Sequence, residues 1–294
     1  MPSAPLLERE FLEKLERLTI HWQKSFAGLV GGHNRSRFPG AGQEFLDHRN
    51  FHHGDDLRAV NWRAYLRLEK LFLKMFQVEP RVPVRLLLDV SDSMTLSAGE
   101  KFQYARKLAG ALCYVGLVRL DSMEIHGFSN RLSQRLFCTG GRHRFSLVAD
   151  GLSTMQTGGR TDYLAVVREF ISTYSQRGLV IILSDFLDDN GCERALQYLS
   201  DFGHELMLLQ IFADEDRVPP WTGELELRDA ETGAALKLDF DEAARERYTR
   251  AFDEYSSLIQ TMALRSGGRY AGISTSQPLE EVIFGELIRV RGIA

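Results

Sequence analysis

The chain has 294 residues, 44% of them hydrophobic and 26% charged, with a formal net charge of −4. That length holds one large domain, or an ordinary domain with a smaller companion, and that balance excludes a disordered chain. Basic residues alternate with acidic ones, which argues against a nucleic-acid binder, and three cysteines, Cys113, Cys138 and Cys192, are too few and too scattered for a disulfide framework or a zinc knuckle.

The start, residues 1–10, lacks the basic, apolar and small-residue regions of a signal peptide. No stretch reaches the roughly 18 apolar residues of a membrane helix. A soluble, cytoplasmic protein is therefore expected. Residues 6–22 read as an amphipathic helix and 28–42 as a Gly- and Arg-containing loop. A dense mixture of aromatic and charged residues fills 45–65, and 70–78 alternates weakly, like a strand. Pro80 and Pro83 mark a junction, so residues 1–80 are expected to form a small amino-terminal α+β segment packed on a main domain, 81–294.

Past that junction, short apolar runs alternate with longer amphipathic ones. Strands are predicted over 84–89, 123–128, 132–137, 179–184, 205–212 and 269–274, the second and third joined as a hairpin at Ser129-Asn130. Helices are predicted over 100–119, 145–155, 163–174, 192–202 and 242–265, with another after Pro278. Residues 224–228 and 235–239 alternate in period two about Glu231-Thr232-Gly233, and read as a hairpin insertion, near 223–240, added to the sheet. The expectation is an α/β fold: a doubly wound, mostly parallel sheet with crossover helices on both faces. Such sheets form sites at the carboxyl ends of strands, near the topological switch point.

One constellation falls at that edge. Asp89, Ser91 and Ser93 directly follow the apolar strand 84–88, and a carboxylate with two hydroxyls at alternate positions can converge on one small hard cation. Thr161 follows Gly158-Gly159-Arg160 at a helix start, and Asp185 ends the strand 179–184. Singly, each also reads as a helix cap or turn residue. Together they point to a metal site.

This set resembles the metal-ion-dependent adhesion site of von Willebrand factor A domains, whose pattern is D-x-S-x-S after the first strand, a threonine on a later loop and an aspartate after the fourth strand. The resemblance implies a Rossmann-like sheet holding Mg2+ or Mn2+, with Ser91, Ser93 and Thr161 as direct ligands. It also implies that Asp89 and Asp185 act partly through water, and that a further position is left open for a partner's carboxylate.

Upstream stand Glu44-Phe45, Arg49, Phe51, Gly54-Asp55-Asp56, Arg58, Asn61-Trp62, Arg67, Leu73-Lys74 and Glu79. This order resembles the bacterial family known as domain of unknown function 58, which carries E-F, R-x-Y, G-D-D-x-R-x-I-x-W, A-R and V-K-x-x-x-x-E ahead of a D-x-S-x-S. Phe51, Val60 and Leu66 replace the family's tyrosine, isoleucine and alanine. Asp55, Asp56, Arg49, Arg58 and Arg63 can cross-pair, since guanidinium forks suit carboxylates, with Trp62 as an aromatic floor. The group reads either as a structural ion network or as a partner-binding surface of Arg49, Asp55, Asp56, Arg58 and Trp62. His48, His52 and His53 lack companions at zinc-ligand spacing.

The family resemblance implies a non-enzymatic adaptor acting with a MoxR-type AAA+ ATPase, through a metal-dependent protein contact. The alternative is a metal-dependent hydrolase using Asp89 or Ser91 as nucleophile. Neither a G-x-x-x-x-G-K-S/T loop nor a G-x-S-x-G elbow is present, which speaks against an ATPase or an α/β hydrolase.

Overall fold

Runs of apolar residues bounded by Gly, Pro and Asp become strands here, and the longer amphipathic stretches between them become helices. The computed structural model describes residues 5–21, 44–52, 60–77, 82–96, 99–187, 191–230 and 232–293. The chain divides into two units, Met1–Lys24 with Val82–Ala294, and Ser25–Arg81. In chain order, α1 is Arg9–Leu15, β1 Glu44–Asn50, α2 Trp62–Leu68 and β2 Phe72–Gln77. The larger unit continues with β3 (Pro83–Asp89), α3 (Glu100–Val118), β4 (Ser122–Phe128), β5 (Leu132–Cys138), α4 (Phe145–Thr154), α5 (Tyr163–Thr173) and β6 (Leu179–Ser184). It ends with α6 (Cys192–Asp201), β7 (Glu205–Phe212), α7 (Asp214–Arg217), β8 (Gly223–Arg228), β9 (Ala235–Phe240), α8 (Glu242–Arg265) and β10 (Arg269–Ser274), followed by three short helical turns from Leu279 to Arg289.

The smaller unit is α+β. Strand β1 pairs antiparallel with β2, with Asn50 opposite Phe72. Helix α2, hidden from sequence inspection among aromatic and charged residues, starts where the Asn61 side chain accepts the Ala64 N–H at 3.3 Å, an N-cap of the usual kind. The first helix groups with the larger unit instead. A helix over 6–22 is expected from the pattern, but α1 ends at Leu15. Ile20 forms an antiparallel bridge with Ile293, and the His21 N–H donates to the Gly292 carbonyl at 3.0 Å. Tertiary pairing overrides the helical pattern there.

In the larger unit the described strands form a six-stranded sheet in the order β10-β7-β6-β3-β4-β5. All neighbours are parallel except β4 and β5, the expected hairpin. Numbered within the sheet, the order is 3-2-1-4-5-6, doubly wound with its switch point between β3 and β6. This is the sheet expected of the von Willebrand factor A type.

Parallel strands covered on both faces need apolar residues at every position, and β3 and β6 are buried throughout. Strand alternation sorts them into two cores. Val84, Leu86, Leu88, Leu179, Ile181 and Leu183 face α3, whereas Leu87, Val180 and Ile182 pack with Tyr163, Val167 and Phe170 of α5. Each fully buried leucine contributes about 2 kcal/mol. The β8–β9 hairpin forms where expected, but it is a separate two-stranded sheet rather than an addition to the main one. One face carries four leucines, Leu225 opposite Leu238 and Leu227 opposite Leu236, yet the hairpin is mostly exposed. Among the described residues no helix is long and apolar enough to cross a membrane.

Candidate metal centre

Asp89 is the last residue of β3, and Asp185 directly follows β6, its parallel neighbour. Both therefore stand at the carboxyl edge of the sheet, at the switch point, and both are buried. Period-two alternation explains their different surroundings. Asp89 shares the α5 side with Ser184, whose hydroxyl donates to Asp89 Oδ2 at 2.6 Å. Ser184 Oγ also lies 2.6 Å from the Tyr163 hydroxyl and accepts the Phe186 N–H at 2.8 Å. Asp185 turns to the α3 side, where Lys101 Nζ donates to its Oδ2 at 2.8 Å.

The first loop folds over Asp89. The Ser91 N–H donates to Asp89 Oδ1 at 2.9 Å, an Asx turn. Ser91 Oγ and Ser93 Oγ lie 3.0 Å apart, both buried, so the two hydroxyls expected to act together sit side by side. Neither aspartate serves as a helix cap: Gly99 is the N-cap of α3 and Gly191 that of α6.

Thr161 is buried on a second loop, which is clasped to the first. The Gly158 N–H donates to the Val90 carbonyl at 2.7 Å, and the Asp92 N–H to the Gly159 carbonyl at 2.9 Å. The Gly159 N–H returns a bond to Asp92 Oδ2 at 3.2 Å. Gly159 has φ +89°, a conformation only glycine adopts freely. Asp162 then caps α5 by accepting the Ala165 N–H at 2.9 Å. After Asp185, Phe186 holds φ +58°, unusual for a bulky residue. Its ring stacks on Tyr163 at 6.1 Å, and its carbonyl accepts the Tyr255 hydroxyl at 2.7 Å. Those contacts hold the strained turn at the site.

Electrostatically, burial and then the neighbouring charge of Asp185 push Asp89 up to about 7. Two carboxylates sharing a dry sheet edge repel each other, and a hard divalent cation among hydroxyl and carboxylate oxygens is what relieves such a pair. The donor set fits magnesium or manganese: Asp89, Ser91, Ser93, Thr161 and Asp185 would hold the ion, which would supply positive charge for a further oxygen ligand. Among the described residues no three His, Cys, Asp or Glu side chains gather as a metal site. This candidate is built chiefly of hydroxyls and is of a different kind.

Several neighbours escape inspection of the sequence: Ser184, Tyr163, Asp92 and, above all, Lys101. The lysine carried a signal, since positions 101, 105, 108, 112 and 115 follow helical spacing along the buried stripe of α3. Of the second surface expected, Trp62 is exposed at 54%. Asp55, Asp56 and Arg58, and the side chain of Arg49, lie outside the described residues.

The sequence pattern of the family described as "Protein of unknown function DUF58" matches residues 47–257. An uncharacterized protein of Mycobacterium tuberculosis, Rv1480, is 25% identical over 246 residues, 81% of this chain and 76% of that protein. Among solved structures, the conserved hypothetical protein BatB of Bacteroides thetaiotaomicron is similar at 15% identity and a TM-score of 0.43, over 71% of this chain and 98% of the other. Proximal thread matrix protein 1 of the mussel byssus, with a zinc-occupied MIDAS motif, is similar at 12% identity and a TM-score of 0.39, over 72% of this chain and 47% of the other.

Proposed function

This chain belongs to the DUF58 family, and from that premise we propose that it is a metal-ion-dependent protein–protein interaction module. The observation that carries the reading is the pair Asp89 and Asp185 at one sheet edge beside the Ser91–Ser93 hydroxyl pair. The partner we propose is a MoxR-type AAA+ ATPase or its client, offering an acidic side chain to the ion. Magnesium, or manganese, would act as a charge-assisted clamp. We place the protein in the cytoplasm, a reducing compartment that suits its three buried cysteines.

We propose a non-enzymatic role. Both oxygens of Asp89 are engaged, one by the Ser91 N–H and one by the Ser184 hydroxyl, and both roles disfavour a nucleophile. Among the described residues, no histidine or lysine is hydrogen-bonded to Ser91 Oγ, which lies 3.0 Å from the Ser93 hydroxyl. The test is a pull-down from lysate with magnesium present, repeated with chelator and with an Asp89→Ala, Ser91→Ala double variant. The ATPase is expected with the parent chain and magnesium alone. Equal recovery under all conditions would refute the reading.

A further inference from the structure

The ligands read from the sequence leave one buried charge at the site unassigned. Lys101, in the first turn of α3, is fully buried. Its Nζ lies 2.8 Å from Asp185 Oδ2 and 3.2 Å from Asp216 Oδ2. Asp185 follows β6, and Asp216 belongs to α7, where the same oxygen accepts the Ala213 N–H at 2.9 Å. The ammonium thus ties together two loops of the carboxyl edge. An apolar side chain of similar length would fill this place but leave the buried Asp185 carboxylate without its cation.

Resting on the metal reading above, we propose that Lys101 is a positioning residue that sets the affinity of the centre for divalent cations. It takes one oxygen of Asp185, offsets that carboxylate's charge and fixes its orientation. Asp89 is held instead by the Ser184 hydroxyl and the Ser91 backbone N–H. A divalent ion entering the site meets an ammonium already bound to one of its ligands, so it is held weakly and its retention depends on an added acidic ligand. A fixed positive charge beside a cation site lowers its affinity.

Isothermal titration of the full chain with magnesium and with manganese tests this in three variants. Lys101→Met removes the charge and keeps the volume, and metal binding is expected to tighten by about tenfold or more. Lys101→Arg restores the charge and is expected to return affinity towards the parent value. Asp216→Asn leaves the ammonium with less compensation and is expected to weaken binding several-fold, a measurement that stands even if Lys101→Met fails to fold. A merely structural lysine would give weaker binding in both Lys101 variants and leave Asp216→Asn unaltered. Unchanged or weaker binding in a folded Lys101→Met, or an unaltered Asp216→Asn where Lys101→Met does not fold, overturns the proposal. If no chain binds either ion, parent included, the metal reading itself fails and this inference with it. If the parent binds and Lys101→Met binds no tighter, only the role of Lys101 is lost.

Discussion

Replacing Asp89 with asparagine is expected to stabilise the metal-free protein at alkaline pH while removing its response to magnesium. Burial and the charge of Asp185 raise Asp89 to about 7, from an ordinary value of 3.8. Because the folded value is the higher one, the contribution of Asp89 is greatest below pH 3.8, where both states are protonated. It declines as pH rises towards 7 and is level above that. The interval is about three units, and each unit corresponds to about 1.4 kcal/mol. The charged carboxylate therefore costs the metal-free fold up to about 4 kcal/mol at pH 8. Asparagine removes the charge but cannot accept both bonds that Asp89 receives, from the Ser91 N–H and the Ser184 hydroxyl, a loss of about 1–2 kcal/mol. A net gain of about 2 kcal/mol is expected at pH 8, turning to a net loss at pH 4. Urea denaturation in chelator, parent against variant across that range, measures the difference. A variant destabilised equally at pH 4 and pH 8 would refute the reasoning, because the like-charge cost would then be absent.

Two further outcomes follow from features away from the metal centre. Burial works against the charge of Glu124, but His126 at 3.8 Å and hydrogen bonds from Tyr174 and Arg135 outweigh it and hold the carboxyl at about 2. This stabilisation is present above the ordinary value of 4.5 and is lost as pH falls towards 2. Glu124→Gln is thus expected to cost about 2 kcal/mol at pH 7, discounted for the solvent beside Arg135, with the gap to the parent closing towards pH 2 in acid-denaturation curves. A gap independent of pH would dismiss the ion network as its source. At the entrance to β6, a Cβ on Gly178 would lie 2.3 Å from the Pro83 carbonyl oxygen. Gly178→Ala is expected to destabilise by about 1–3 kcal/mol through forced backbone movement, seen as a lower urea midpoint, and a neutral result would mean that β3 and β6 can separate freely at that end.

The long periodic elements were readable because local pattern and global fold agree in them. Strands β6, β7 and β10 and helix α8 begin and end where the apolar runs and caps place them. Asp89 and Asp185 could be brought to one edge from sequence because parallel strands share a direction. The failures have physical causes too. Helix α1 stops short because Ile20 pairs with Ile293, a partner 273 positions away that no local window contains. The β8–β9 hairpin alternates correctly but stands apart, since alternation specifies a strand and not its neighbours. A lysine in a first helical turn reads as solvated, and only the placement of α3 beneath the sheet edge buries Lys101.

The separateness of β8 and β9 has a practical use. Among the described residues their ladder is shared with no strand of the main sheet, and their tie to the body includes Phe240, buried at the base with its ring 6.5 Å from that of Tyr248. At the tip the Gly233 N–H donates to the Asp229 carbonyl at 2.9 Å. A fluorophore grafted there would disturb no ladder but its own, and because Asp229 and Thr232 line a cavity with Ser93 and Arg160, its signal would report on the candidate metal centre.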